Sequence, residues 1–201
     1  MSLKVWLPLN GSLENKGLSN FTYTTSTVGG YEAGKIGQAL SLLNSKLVFT
    51  IPSLAGATKF SVAFWYKPRT NSNLTGNWYN IIALLAKSSD ESVSAYWRCE
   101  SSYGNAYHIS HHNNVGSPID GGLGSLVSAK DLWYHICLTC DGTTNTRAYV
   151  NGALKATATY NGGHLTGWVG IADEAAKPDG LLNDVRIYDH CLSAAEVKEI
   201  S

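Results

Sequence analysis

Residues 180–200 read Gly-Leu-Leu-Asn-Asp-Val-Arg-Ile-Tyr-Asp-His-Cys-Leu-Ser-Ala-Ala-Glu-Val-Lys-Glu-Ile, and this stretch decides the fold. Val185 and Ile187 alternate with Asp184, Arg186 and Tyr188, the period of two that marks a strand with two different faces. Ser193 stands three residues before Glu196, a capping box that satisfies two otherwise orphaned N–H groups of a following helical turn. Leu192 and Val197 take the staple positions on either side of that cap. The helix so specified is about two turns long, too short to be stable alone. It has to dock, and the strand just before it offers the nearest surface.

The same alternation recurs upstream. Leu3, Val5 and Leu7 alternate with Lys4 and Trp6 in a first strand that stops at Pro8, and residues 10–20 form a polar, Gly-rich loop. Residues 34–42 turn into a strand, and Leu47 to Ile51 is another, stopped by Pro52. Phe60, Val62, Phe64 and Tyr66 alternate with Ser61, Ala63 and Trp65 in the clearest core strand, predicted to end before Pro68. A loop over 69–80 leads to Ile81–Ala86, apolar throughout and so covered on both faces. Strands follow around 93–99, 105–112 and 133–140. Residues 147–150 and 154–160 make a hairpin, because Asn151-Gly152 accepts the two positive φ angles of a type I′ turn. Trp168–Ala172 and the closing strand complete about a dozen short strands with almost no helix, the pattern of an all-β sandwich or jelly roll. With no internal repeat and no linker, residues 1–201 read as one domain.

Charge excludes several classes of partner. Fifteen basic residues balance fifteen acidic ones, and only 15% of the chain is charged. No electrostatic footprint for nucleic acid or an anionic membrane is present, and no apolar run reaches the roughly 20 residues of a membrane span. The surface is built from Asn, Ser, Thr, Gly and Tyr, which suits uncharged hydrogen-bonding partners such as sugars. The opening residues carry no signal-peptide apolar region or cleavage site, so the expectation is synthesis in a cytoplasm without the usual export signal. Cys137 and Cys140 form a C-x-x-C, but on a strand positions three apart face opposite ways. Cys99 and Cys191 each stand alone, so buried free thiols are a better reading than zinc.

Five blocks in order resemble a family. Gly34-Lys-Ile-Gly-Gln-Ala-Leu40, Phe60-Ser-Val-Ala-Phe-Trp-Tyr-Lys-Pro68, Trp133-Tyr-His-Ile-x-x-Thr-x-Asp-Gly142, Tyr149-Val-Asn-Gly152 and the Asp184–Val197 ending are similar to laminin-G-like domains of the concanavalin A-like superfamily. The resemblance implies a two-sheet antiparallel jelly-roll β-sandwich with a short C-terminal helix. It leaves function open, since the superfamily includes lectins, adhesion modules, pentraxins, glucanases and purely structural domains. The opening Leu-Lys-Val-Trp-Leu-Pro-Leu-Asn-Gly running into Gly-Leu-Ser-Asn also resembles stand-alone domains of this type encoded with phage and prophage tail genes of gut bacteria. That implies a virion or tail component released by lysis.

Candidate sites follow. The glucanases' Glu-x-Asp-x-x-Glu spacing is absent, as are G-x-S-x-G, a P-loop and H-E-x-x-H, which argues for a non-enzyme. The resemblance implies a structural calcium held by an early loop residue and the closing-strand Asp. Asp184 matches the second, while the first offers only Asn10, Asn15 or Asn20, short of a formal charge. Asp184 has the alternative of pairing with a basic side chain or accepting backbone N–H groups. For glycan binding, residues 96–114 combine flat aromatic faces with amides and imidazoles: Trp97, Arg98, Tyr103, His108, His112, Asn113 and Asn114, with Trp78 and Tyr79 in the loop before. His108, Ser110 and His112 share one strand face, outward if Tyr107, Ile109 and His111 face the core. The alternative is that these aromatics are themselves core. The sequons at Asn10, Asn20 and Asn73 read as turn chemistry. The reading is a carbohydrate-binding or adhesion module, with cell-surface carbohydrate or other virion proteins as partners. The alternatives are a structural decoration protein that could assemble as a homo-oligomer, and a glycan-cleaving enzyme.

Overall fold

Fourteen strands form among the described residues, most of them where apolar side chains alternate, and the chain pairs them into two antiparallel sheets. The computed structural model describes residues 2–69, 79–87, 94–102, 106–113, 131–159, 163–173 and 178–201, with backbone only at 79–80, 86–87, 94–102, 106–113 and 158–159. The strands are β1 (Leu3–Leu7), β2 (Tyr23–Thr27), β3 (Tyr31–Ala33), β4 (Gln38–Ser41), β5 (Lys46–Thr50), β6 (Phe60–Pro68) and β7 (Tyr79–Lys87). They continue as β8 (Ser94–Ser102), β9 (Ala106–Asn113), β10 (Tyr134–Cys140), β11 (Asn145–Val150), β12 (Ala153–Thr159), β13 (His164–Ile171) and β14 (Gly180–Tyr188), before the helix α1 (Ala194–Glu199). No described helix is long and apolar enough to cross a membrane.

One sheet has eight strands in the order β12-β11-β10-β6-β14-β4-β3, with β1 also on β14; the other has six, β2-β5-β13-β7-β8-β9. One core joins them. Val5, Leu7, Leu40, Val62, Phe64, Val185 and Ile187 from the first sheet pack with Leu47, Phe49, Ile82, Leu84, Val169 and Ile171 from the second, all essentially buried. The period of two is what allows this. The opposite parity of the eight-stranded sheet faces away and carries Ala63, Cys137, Tyr149 and Tyr188, which pack with Leu192 and Val197 of the helix segment. The capping box is formed: Ser193 Oγ accepts from the Glu196 N–H and Glu196 Oε2 accepts from the Ser193 N–H.

The C-x-x-C divides as its parity requires. Cys137 lies under the helix and Cys140 in the main core, both buried and free. Burial pushes the Cys140 thiol up to about 12 and raises Cys137 further. Asn151 and Gly152 take φ +50° and +75° at the tip of the β11–β12 hairpin, as a type I′ turn needs.

Three expectations change. β6 runs through Pro68 rather than stopping before it, because the last residue of a strand needs no N–H of its own and the Pro68 carbonyl still accepts from Asp131. β7 begins at Tyr79 rather than at Ile81. Strands β2 and β3 have no counterpart in the alternation. Tyr23-Thr-Thr-Ser-Thr is polar on both parities, yet it pairs with β5 and brings Phe21 and Tyr23 against Phe49, with ring centroids 4.4 and 5.3 Å away.

Candidate functional site

The closing strand organises the polar groups of this sheet. β6 borders one edge of β14 throughout. On the other edge Leu181 and Leu182 pair with β4, and Val185 to Tyr188 pair with β1. At the fork the register slips between Asn183 and Arg186, and Asp184 adopts φ +55°, a conformation that Asp tolerates better than most side chains. Asn183 is fully buried and closes the gap. Its Nδ2 donates to the carbonyls of Pro8 (2.7 Å) and Gln38 (2.8 Å), and its Oδ1 accepts from the Ile36 N–H (2.9 Å).

Asp184 beside it is 6% exposed and meets three donors. Trp6 Nε1 donates to Oδ1 at 2.6 Å, Arg186 Nε donates to the same oxygen at 3.2 Å, and the second guanidinium nitrogen reaches Oδ2 at 2.8 Å. This side-on, two-point pairing is the strong form of a carboxylate–guanidinium contact. Cross-strand pairing of Trp6 with Arg186 brings the guanidinium carbon 5.6 Å from the indole centroid.

The same outward parity carries Trp65 on β6 opposite His135 on β10, their rings edge-to-face with centroids 5.2 Å apart. The Lys35 ammonium lies 4.5 Å over the Trp65 ring. His135 is 2% exposed, and its Nδ1 is buried with no hydrogen-bond partner among the described residues. Burial first, then the Arg186 guanidinium, pulls its imidazole down to about 4, so it is neutral at physiological pH. Trp6 and Trp65 are each half-buried. Neither was singled out as a ligand group in the sequence. The signal was there, because both fall on the parity opposite the core residues of their strands.

The calcium donors expected from the sequence do not assemble. Asp184 has both oxygens engaged by Arg186, the basic partner that was the alternative reading. Asn10 Oδ1 accepts from the Gln38 N–H, Asn15 Oδ1 accepts from the Trp6 and Gly17 N–H groups, and Asn20 is exposed. Among the described residues no three of His, Cys, Asp or Glu gather as metal ligands. A carboxylate already neutralised by a guanidinium is a poor hard-cation ligand, so this donor set does not fit calcium.

Of the glycan candidates, Trp78, Tyr103 and Asn114 lie outside the described residues, as does the Asn73 sequon. The side chains of Tyr79, Trp97, Arg98, His108, His112 and Asn113 lie outside them too, but their backbone register is defined. Trp97 pairs with Leu84 and His111, whereas Arg98 pairs with Ala83 and Ser110, Tyr96 with His112, and Glu100 with His108. Ile82 and Leu84 face the core. Positions 96, 98 and 100, with 108, 110 and 112, therefore have the outward parity, and position 97 has the inward one.

Two facing antiparallel sheets, with one strand shared between two neighbours at its edge, define a jelly-roll β-sandwich. Residues 44–198 match Laminin_G_3 of the concanavalin A-like lectin/glucanases superfamily, and the chain belongs to that family. Among solved structures it is similar to domain 4 of AbnA, a GH43 extracellular arabinanase from Geobacillus stearothermophilus, in complex with arabinotriose. There the identity is 19%, the cover is 99% of this chain and 98% of that one, and the TM-score is 0.69. The receptor binding domain of botulinum neurotoxin D is similar at 17% identity and TM-score 0.65, over 99% of this chain and 52% of that one. The serotype D ligand binding domain in complex with N-acetylneuraminic acid is similar at 16% identity and TM-score 0.65, over 99% and 50%. The chain thus spans about half of the toxin domains. No curated protein sequence matches it.

Proposed function

We propose that this domain is a non-catalytic carbohydrate-binding module that recognises bacterial surface glycans from a phage tail or virion. One observation carries the reading. On β8 and the edge strand β9, the outward parity pairs Tyr96 with His112, Arg98 with Ser110 and Glu100 with His108, which brings aromatic, imidazole, guanidinium, carboxylate and hydroxyl residues to one face at the end of a sheet. Sugar sites combine such groups, flat rings for C–H faces and planar donors for hydroxyls. Of the candidates named from the sequence, Arg98, His108 and His112 fall on this face by register, whereas Trp97 and Asn113 take the opposite parity. Two structures similar over nearly this whole chain hold arabinotriose and N-acetylneuraminic acid, which supports a glycan as the ligand class.

A binding role without catalysis also suits four of the described carboxylates. Asp184 is held by Arg186, Asp189 by Lys4, Asp141 by the N–H groups of its own turn and Glu196 by the helix cap. The test is a pull-down of the purified protein with intact gut-bacterial cells and their isolated wall glycans, with and without EDTA. The reading expects saturable binding that free sugar competes, that EDTA leaves intact and that Arg98→Ala with His112→Ala abolishes. No binding to any glycan surface, with capture instead by purified tail proteins, overturns it in favour of a structural virion role.

A further inference from the structure

We infer that the outward face of the eight-stranded sheet holds a second ligand site, built from Trp6, Trp65, Lys35, His135, Asp184 and Arg186, that takes an acidic sugar residue. The inference borrows its ligand class from the glycan-binding reading but not its location, since strands β8 and β9 lie in the other sheet.

Three observations point to a ligand. Two half-buried indoles stand on the part of this sheet face that the helix leaves uncovered, because the helix packs over Ala63, Cys137, Tyr149 and Tyr188. Between the indoles lies the Asp184–Arg186 pair, fixed by bidentate contact and by the Trp6 N–H. Beside them His135 is buried with an Nδ1 that no group among the described residues satisfies. A buried polar atom without a partner is costly, so a group supplied from outside is the economical completion. The ring is neutral above about pH 4, so its Nδ1 either donates to an oxygen of that group or accepts from one of its hydroxyls, according to tautomer.

Charge selects the sugar. Asp184 and Arg186 cancel each other, which leaves Lys35 as the unbalanced charge of the cluster. Its ammonium rests on the Trp65 ring, and no carboxylate among the described residues pairs with it. A sugar ring on an indole with its carboxylate on Lys35 satisfies both, whereas a neutral sugar leaves the ammonium as it is. The side chain is exposed and long enough to swing from the ring to a carboxylate without disturbing the sheet.

Calorimetric titration of the whole chain with a trigalacturonate, and with galactotriose as its neutral counterpart, tests this. The expected result is saturable binding of the acidic trisaccharide at least tenfold tighter than that of the neutral one. Lys35→Glu and Trp65→Ala should each weaken it tenfold or more, with binding weakening as salt rises. Lys35 is exposed, so its variant folds, and a thermal unfolding curve monitors Trp65→Ala. The double variant Arg98→Ala, His112→Ala should retain this binding. No binding, equal binding of both sugars, or binding that survives Lys35→Glu and Trp65→Ala overturns the inference. Loss of acidic-sugar binding in the Arg98, His112 variant alone also overturns it while leaving the other face's glycan reading in place.

Discussion

Asn183 offers the sharpest test of how this sandwich closes. Its amide spans the fork at which β14 exchanges β4 for β1 as a neighbour, and it satisfies three backbone groups there: the Pro8 and Gln38 carbonyls and the Ile36 N–H. Each hydrogen bond contributes about 1 kcal/mol net, and each buried group left unpaired costs about 1–3 kcal/mol. Asn183→Ala, which leaves three such groups unpaired, should therefore destabilise the domain by about 3–9 kcal/mol, against a typical total of ~5–15 kcal/mol. With a urea dependence of about 1–3 kcal/mol/M, the unfolding midpoint falls by at least about 1 M. Asn183→Asp should be worse than Ala at neutral pH despite its closer shape. It keeps an acceptor for Ile36 but turns acceptor oxygens toward two carbonyls where donors stood. Burial there raises the new carboxyl above its ordinary ~3.9. The sign is then fixed: the folded state holds the proton more tightly, so the Asp variant loses stability relative to wild type as pH rises from about 4. Urea denaturation at pH 4.5 and pH 7.5 measures both effects. An Asn183→Ala cost under about 1 kcal/mol, or an Asp variant as stable as Ala at pH 7.5, would refute the assignment of this side chain as the tie between three strands.

Further outcomes follow from other sites. At Gly152 (φ +75°) an added Cβ would lie 2.8 Å from Ser201 Oγ and 3.3 Å from Lys198 Cα, so Gly152→Ala should cost about 1–2 kcal/mol or more in denaturation. Asp141 Oδ1 accepts from the N–H groups of Asn145, Thr144 and Thr143, which hold its carboxyl below the usual range. Its contribution is complete above about pH 4 and is lost as pH falls through the depressed value, so thermal unfolding should separate Asp141→Ala from wild type at pH 7 more than at pH 3. His135 is depressed instead, to about 4. Its contribution is complete above its ordinary ~6.5 and erodes as pH falls from there, and an NMR titration of its ring should show a midpoint near the lower value. Cys137 and Cys140, buried and raised, should resist thiol reagents in the native state and react only on unfolding.

The parts of the fold that local sequence controls were legible. The closing strand and its capped helix, the opposite faces of Cys137 and Cys140, and the Asn151-Gly152 turn each depend on neighbours a few residues away. β2 escaped because an edge strand of Thr and Ser shows no alternation, and its pairing with β5 comes from backbone bonds that any residue supplies. The fork at Asn183 and Asp184 is harder still. Asn183 bonds to residues 145 to 175 positions away, and nothing in its own neighbourhood announces that the register will slip there. The cluster on the outward face was half legible: parity turned Trp6 and Trp65 away from the core, but only the strand order brings Lys35, His135 and Arg186 beside them. The engagement of the expected calcium donors elsewhere was hidden for a related reason. The closing-strand Asp was found, but its guanidinium partner sits two residues along the same strand, across a bulge that a plain alternation does not contain.

The sharing of β14 among three neighbours has a kinetic consequence. Until residues 180–188 are in place, the eight-stranded sheet exists only as pieces: β12-β11-β10-β6, β4-β3, and β1 alone. The strand that joins them follows the sheet's other strands in sequence, and its pairing with β1 sets Leu3 against Tyr188 and Leu7 against Val185. Loop closure over such separations has to precede the contacts that reward it. The large sheet is therefore expected to assemble only after residues 180–188 have been made, in one late cooperative step. Until then the inner faces of β1 and β6 stay open to chaperones, or to one another on neighbouring chains.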